Sequence, residues 1–400
     1  MSGSKIILQA IGEQNTYLNK NAKHTLFKKN PRRYSAFGLD WSVINSNYKN
    51  TLDFAQPGSN HYFRIDKNGD VINEIYLRVK LLKNSEWDSS SFNIKETIFN
   101  IIRKVEFLYN DKVICKLDSD FIFSYFELNY TENQKKDLIN MFSYDNVAPN
   151  AASDNVVFLT IPLPLWFHKN PGNAFPLWAL YNPNVGINIS IQDENTFPKG
   201  TKIIQDLEIL VNFTQLTSQE KEQFANKPLE YLIEIPEQLE KINVSDNATH
   251  KKISVLKTHF VKYLFWNIKD ITNKANSYHY LDDLESASIT FNGNALVDNA
   301  PAKYFNQVNR YMYFNSGSRL SLLENNNQDP SYLNPIYTYS FSLNPIQSKL
   351  SGYFTTEKFN DVTFEFDIKN NPGTSREVNI YLVKHNIIRI SDGYLNILYN

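Results

Sequence analysis

The sequence predicts an all-β protein with two domains in series, and three observations support this prediction. Short segments in which apolar and polar residues partly alternate recur along the chain, separated by clusters of Gly, Asn and Pro. At 400 residues, the chain is longer than a single hydrophobic core usually supports. A short helical signal stands near the middle, with strand signals in similar number on either side. These features favour two sandwiches or barrels joined by a helical linker.

The predicted strands are rich in β-branched and aromatic residues. The two clearest segments span residues 71–81 and 252–266, each of which we interpret as one strand. The other predicted strands span residues 102–109, 156–163, 187–191, 203–213, 286–291, 337–343, 362–368 and 378–383. Between them, Gly and Asn supply the positive φ of tight turns at residues 66–70, 170–173, 292–294 and 371–373.

Two short helices are predicted. Thr217 and Glu220 have capping-box spacing at the start of a helix that Pro228 ends, and residues 131–142 form a second helix in a loop of the first domain. The sequence predicts an N-terminal arm (1–30), a first domain (31–215), a linker helix (216–228) and a second domain (229–400). Alternation leaves a jelly roll, an immunoglobulin sandwich and a lectin open, but each domain is long for an immunoglobulin fold of about 100 residues. Two jelly rolls in tandem fit this length better.

The composition argues against several classes of protein. Lys plus Arg number 41 and Asp plus Glu 42, so the chain lacks an overall basic footprint for nucleic acid. A local basic spot at residues 28–33 is interpreted as a solvated loop rather than a phosphate site. Cys115 is the single cysteine, as is usual for a protein that assembles in a reducing compartment. We expect no signal peptide, and no apolar run approaches the roughly 20 residues of a membrane helix.

No catalytic, cofactor or metal site is predicted. The seven histidines lack metal-site spacing, and the two closest, His250 and His259, are expected on one strand with opposite side-chain directions. The acidic pairs could act as acid and base or bind Ca²⁺, but solvated turns are the favoured interpretation; they are Asp118 with Asp120, Asp193 with Glu194, and Asp282 with Asp283. Nucleophile-elbow, phosphate-loop and dinucleotide motifs are absent from the sequence. We therefore predict that the protein is not an enzyme.

Aromatic residues cluster at residues 121–126, 311–314 and 337–341. Such side chains fill sandwich cores, dominate subunit interfaces and form sugar-binding platforms, so their presence alone leaves all three roles open.

Several motifs, in one order along the chain, resemble those of a known family. They begin with Leu8-Gln-Ala-Ile-Gly-Glu-Gln-Asn-Thr-Tyr-Leu and Arg32-Arg-Tyr-Ser-Ala-Phe, and continue with Ile161-Pro-Leu-Pro-Leu-Trp-Phe and the linker Ser218–Ala225. The second half adds His259-Phe-Val-Lys-Tyr-Leu-Phe-Trp, Phe291-Asn-Gly-Asn, Ile336-Tyr-Thr-Tyr-Ser-Phe-Ser-Leu-Asn-Pro with Ser351-Gly, and Asn386-Ile-Ile-Arg-Ile-Ser-Asp-Gly. The chain resembles the major capsid proteins of nucleocytoplasmic large DNA viruses. It departs from the family pattern at Asn15, Phe260, Leu350 and the stretch that begins at Tyr353.

The resemblance implies a double jelly roll, all-β with short helices in its loops and linker. It implies a structural major capsid protein that forms homotrimeric, pseudo-hexagonal capsomers in the icosahedral shell of a double-stranded DNA virus. The implied partners are neighbouring capsomers, minor capsid and penton proteins, and an internal membrane-associated layer reached by the N-terminal arm, with no specific nucleic acid and no cofactor. The implied location is the virion, after assembly in the host cytoplasm. A scaffold protein of the same fold and a carbohydrate-binding sandwich remain the alternatives.

Overall fold

The computed structural model describes most of the chain. The described residues are 34–46, 59–82, 101–142, 156–168, 170–192, 204–225, 227–239, 241–244, 249–254, 259–271, 280–315, 335–359 and 361–399, with the single positions 6, 9, 10, 12, 21 and 99. Met1–Ala36 and Phe37–Asn400 are two separate compact units. In the first unit, the Ala10 N–H donates to the Ile6 carbonyl at 3.0 Å. The predicted basic spot at 28–33 lies outside the described residues, as does most of the predicted arm.

The described residues between 37 and 216, the N-terminal half of the second unit, contain nine strands. They are β1 Phe37–Asn45, β2 Asn60–Ile65, β3 Val71–Leu82, β4 Ile102–Tyr109, β5 Lys112–Asp118, β6 Val156–Pro162, β7 Phe175–Pro176, β8 Val185–Ile191 and β9 Ile204–Leu216. Sheet A has the order β1-β9-β3-β6, with β7 also on β3, and sheet B has the order β2-β8-β4-β5. Neighbouring strands in both sheets run antiparallel.

The part of residues 229–397 that the structure describes, the C-terminal half, contains ten strands. They are β10 Leu229–Gln238, β11 Ile242–Val244, β12 His250–Ser254, β13 Val261–Asp270, β14 Leu284–Phe291, β15 Asn294–Pro301, β16 Ile336–Ser340, β17 Val362–Ile368, β18 Arg376–Ser391 and β19 Tyr394–Ile397. Sheet C has the order β10-β18-β13-β16, with β11 and β19 also on β18, and sheet D has the order β12-β17-β14-β15.

The two halves share one topology. When β7, β11 and β19 are set aside and the eight main strands of each half are lettered B to I, sheets A and C have the order B-I-D-G. Sheets B and D have the order C-H-E-F, so each half is a jelly roll. The predicted fold class, a double jelly roll, is confirmed. Within the described residues, no strand pairing closes the two sheets of a half into one continuous barrel.

In the connections that the structure describes lie four short helices: α1 Ser119–Asn129, α2 Glu132–Phe142, α3 Ser218–Ala225 and α4 Asn309–Tyr313, the last preceded by a π-helical turn at Tyr304–Val308. Helices α2 and α3 were predicted, and the Thr217 hydroxyl accepts from the Glu220 N–H at 3.3 Å at the start of α3. Helix α1 was not predicted, because its aromatic run also suits a strand. The Asp118 carboxylate caps it by accepting from the Phe121 N–H at 2.7 Å.

One predicted strand proved to be two. The segment 252–266 contains the end of β12, which pairs in sheet D, and the start of β13, which pairs in sheet C. Phe260, immediately before β13, has a φ of +48°, a conformation that a continuous strand does not contain. The prediction that His250 and His259 share one strand is therefore wrong. The predicted turn at 292–294 is confirmed, since Asn292 and Gly293 have φ of +47° and +78° between β14 and β15.

The buried apolar residues form two clusters. One lies between sheets C and D and includes Trp266, Ile289 and Phe366. The other fills the N-terminal half and extends to sheet C, where it includes Phe265 and Tyr381. Strand β13 is therefore buried on both faces, and a continuous apolar core joins the two halves.

Candidate assembly surfaces

Helix α1 of the N-terminal half packs directly against sheet C. The ring centroid of Phe121 lies 5.8 Å from that of Phe265 on β13 and 5.8 Å from that of Tyr381 on β18. The Tyr381 hydroxyl also donates to the Asp118 carboxylate at 2.8 Å. The helix that follows strand F of one jelly roll thus covers the B-I-D-G sheet of the other.

Strand β10, strand B of the C-terminal half, belongs to the same interface. Its alternating residues Leu229, Tyr231, Ile233 and Ile235 all contact the core cluster that the halves share, and Ile233 is fully buried. The side-chain amide of Asn173 donates to the Leu232 carbonyl at 2.6 Å across this contact. The alternating apolar residues of this strand therefore belong to the apolar core that the two halves share.

A buried ionic cluster connects the helices of the two halves. The Lys135 ammonium on α2 lies 3.0 Å from a carboxylate oxygen of Glu127 on α1, and both side chains are fully buried. The Arg310 guanidinium on α4 lies 3.8 Å from the same oxygen and donates to the Glu127 backbone carbonyl at 3.3 Å. One carboxylate therefore compensates two buried cations, one from each half.

The corresponding strand of the N-terminal half, β1, is exposed. Leu39, Trp41 and Val43 alternate along it and are 63%, 52% and 53% exposed. On the neighbouring strand β9, Val211 and Phe213 point into the core, so these three residues occupy the outer face of sheet A. We call them the β1 strip; the Trp41 ring lies 5.7 Å from that of Tyr76 on β3.

Two further apolar groups are exposed on the C-terminal half. Val308, Tyr311 and Met312 are 47%, 79% and 60% exposed and, at i, i+3 and i+4 spacing, lie on one face at α4; we call them the α4 face. Leu343 and Leu350 are exposed on the loop that follows β16. The Ser342 and Ser351 hydroxyls, 2.6 Å apart, join the two ends of that loop. Contiguous exposed apolar groups of this kind are typical of interaction sites.

The acidic pairs have structural partners. Asp282 accepts from the Tyr337 hydroxyl at 3.0 Å, and Asp283 lies 3.4 Å from the Arg376 guanidinium. Asp120 is buried in α1 and lies 2.6 Å from the Lys269 ammonium, so the interpretation of Asp118 and Asp120 as a solvated turn is wrong. The pair Asp193 and Glu194 lies outside the described residues.

Asp118 is expected to make the stability depend on pH. Partial burial, and then the neighbouring charge of Asp120, raise its pKa to about 6 despite the hydrogen bonds from Phe121 and Tyr381 and the nearby charge of Lys241. The folded state binds the proton of the Asp118 carboxyl more tightly than the unfolded state does. The stability that this proton contributes is therefore complete below the usual pKa of about 3.9 and is lost as the pH rises through 6. Asp118→Asn, which keeps a capping oxygen, should remove this dependence in denaturant titrations between pH 4 and 7. An unchanged slope of stability against pH in the variant would contradict the assignment.

The five histidines that the structure describes do not form a metal site. Within the described part of the chain, no group of three or more His, Cys, Asp or Glu side chains could hold a metal ion. His250 and His259 instead pair with Asp367 at 2.8 Å and Glu357 at 3.0 Å, respectively. His24 and His279 lie outside the described residues. No helix in the described residues is both long and apolar enough to cross a membrane.

His385 is expected to lower the stability of the protein as the pH falls, which is the opposite of the effect of Asp118. Its buried ring nitrogens have no hydrogen-bond partner among the described residues. Burial, and then the charge of Lys262, lower its pKa to about 4. Its unfolded form therefore takes up the proton first, and this group reduces stability as the pH falls from about 6.5 towards 4. His385→Leu should flatten that part of the acid limb in the same titrations; a variant that loses stability in acid as steeply as the parent protein would rule this out.

A cleft of about 1060 Å³ lies where the linker meets both halves, lined by Trp178, Phe224, Arg389 and Asp392 among others. Asp392 is the one carboxylate among its described lining residues. Its described lining residues thus provide one of the two carboxylates that a glycosidase usually uses.

Two jelly rolls of identical strand order that share a core define a double jelly-roll protein. A sequence profile described as the major capsid protein N-terminus matches residues 25–218, and one described as the large eukaryotic DNA virus major capsid protein matches residues 220–396. The chain belongs to this family of major capsid proteins of large eukaryotic DNA viruses, which are structural proteins of the virion.

Individual relatives match over the full length. The chain is 26% identical to the major capsid protein of Pyramimonas orientalis virus and 23% identical to that of Paramecium bursaria Chlorella virus 1, with complete coverage of both chains in each comparison. In a quasi-atomic structure of the capsid of the latter virus, the similar chain is 21% identical with a TM-score of 0.75, over 94% of this chain and 100% of that one. The Faustovirus major capsid protein is 10% identical with a TM-score of 0.66, over 92% and 93%.

Proposed function

We propose that this chain is the main building block of an icosahedral virus shell. Three copies associate around a three-fold axis into a pseudo-hexagonal capsomer, and capsomers tile the shell around double-stranded DNA. The observation that carries this proposal is the duplication of one topology within the chain, because two similar jelly rolls per copy give six similar lobes in a trimer. Burial of apolar and aromatic surface between copies supplies most of the affinity.

The proposed domain boundaries are those predicted from the sequence. The N-terminal arm (1–30) precedes a first jelly roll (31–215), a linker helix (216–228) and a second jelly roll (229–400). The positions of α3, Ser218–Ala225, and of the two pairs of sheets support this division. Minor capsid and penton proteins, and a membrane-associated inner layer contacted by the arm, are proposed as further partners, with assembly in the host cytoplasm.

A shell protein is preferred to a scaffold protein of the same fold because the full-length relatives are named major capsid proteins. The abundance of the chain in purified mature particles distinguishes the two roles. A shell protein is present there as the dominant component, whereas a scaffold is lost on maturation.

Native light scattering tests the proposed trimer. The purified protein is expected to scatter as a species of three times the 46.5-kDa chain mass. A species that remains a monomer across protein concentrations and salt conditions would contradict the proposal.

A further inference from the structure

We propose that the β1 strip of one copy is covered by the C-terminal half of a neighbouring copy, with the α4 face at the centre of the contact. This inference rests on the proposed trimer and names the surfaces that hold it together. The partner is thus a second copy of this chain, bound through two different surfaces.

Sheets A and C are equivalent by strand order, and each has an outer face that points away from its partner sheet. On sheet C, the outer face carries Phe265 and Tyr381, which lie opposite each other on β13 and β18, and α1 covers it. On sheet A, the outer face carries the β1 strip, which is more than half exposed. The single chain therefore covers one of two equivalent outer faces.

The helices that follow the two F strands differ in what they contact. Helix α1 follows β5 and covers sheet C through Phe121. The π-helical turn and α4 follow β15, the equivalent strand, and expose Val308, Tyr311 and Met312. One F-strand helix thus packs on a sheet of the other half, whereas the apolar face of the second F-strand helix is exposed to solvent.

Contact between the β1 strip of one copy and the α4 face of the next can close a ring of copies. A contact between two different surfaces produces a closed ring only if the rotation that it imposes returns to the first copy. The contact within the chain already places one jelly roll beside the next through an F-strand helix and a B-I-D-G sheet. Repeating this contact from the C-terminal half to the N-terminal half of the next copy places six jelly rolls in one ring. Three of the six contacts lie within chains and three lie between chains.

Charge placed in this contact should separate the copies. Trp41→Asp and Tyr311→Asp each introduce a carboxylate at a site that the inference buries only in the trimer. We expect each variant to weaken association by about 30-fold or more, the loss typical of a central interface residue. Tyr394→Asp, at an exposed aromatic residue of β19, is the matched control and should remain trimeric. Light scattering over a dilution series measures all four proteins, and thermal unfolding confirms that the variants are folded, since these side chains are largely exposed.

Cross-linking tests the pairing itself. A protein carrying both Trp41→Cys and Tyr311→Cys should give covalent dimers and trimers with a bismaleimide, because the single native cysteine, Cys115, is buried. Each single variant should stay uncross-linked; efficient products from Trp41→Cys alone would indicate like-with-like contact and overturn the inference. So would a double variant that is trimeric but does not cross-link.

The outcomes separate the two proposals. If the parent protein is a trimer and the Trp41→Asp and Tyr311→Asp variants remain trimers, this inference fails and the proposed function stands. A parent protein that is monomeric under all conditions overturns both.

Discussion

Replacing Glu127 with Gln is expected to lower the free energy of unfolding by about 3–5 kcal/mol, the usual effect of removing one member of a buried ion pair. The substitution preserves shape but leaves the Lys135 and Arg310 cations buried without the carboxylate that lies 3.0 Å and 3.8 Å from them. Because these residues come from α1, α2 and α4, the loss weakens the joint between the jelly rolls. Denaturant unfolding, followed with a single probe in each half, measures this decrease in the free energy of unfolding.

The adjacent helix position provides the control. Lys136 and Glu132 on α2 also lie 3.0 Å apart, but their side chains are about half exposed. Glu132→Gln should therefore change the free energy of unfolding by about 0.5 kcal/mol or less. If Glu127→Gln and Glu132→Gln lowered the free energy of unfolding equally, burial would not explain the contribution of the Glu127–Lys135 pair.

Trp266→Ala is expected to destabilise the protein by about 3–5 kcal/mol, as the removal of a large aromatic side chain from a core usually does. Trp266 is almost completely buried between sheets C and D. Its ring centroid lies 5.1 Å from that of Phe305, 5.6 Å from that of Phe366 and 5.7 Å from that of Tyr337. The cavity left by the indole cannot close without moving three rings. The midpoint of chemical unfolding measures the loss.

Trp41→Ala is the same chemical change at an exposed site. With 52% of Trp41 exposed in the single chain, the substitution should alter the unfolding free energy by about 0.5 kcal/mol or less. Its main effect should instead be on association of the copies. A Trp41→Ala protein as unstable as Trp266→Ala would indicate that β1 contributes to the core of the monomer.

Much of the fold could be predicted from local patterns. The segments 102–109 and 362–368 were predicted with the bounds of β4 and β17, because alternation and turn residues lie within a few positions of each other. The linker helix was predicted because Thr217, Glu220 and Pro228 are local start and stop signals. Helix α1 escaped prediction because its aromatic residues contact Phe265 and Tyr381, which are distant in sequence and keep the segment helical by tertiary packing.

The buried ionic cluster could not be predicted from the sequence either. Lys135 stands among residues that suit a solvated helix surface, Glu127 stands in an aromatic run, and Arg310 is 183 positions away from Glu127. Only the approach of the F-strand helices of the two halves removes all three from water. A long-range contact of this kind has no local signature.

The sequence by itself determined an all-β chain, its repetition in two halves, the linker helix and, through ordered motifs, its family. These features are encoded in residues that are close along the chain. Only the tertiary structure decided which of two similar apolar strands is covered. Strands β1 and β10 carry the same alternation, yet β10 lies against the N-terminal half and β1 is open to solvent. Burial depends on the surface that packs against a strand, and the strand's own residues do not contain that information.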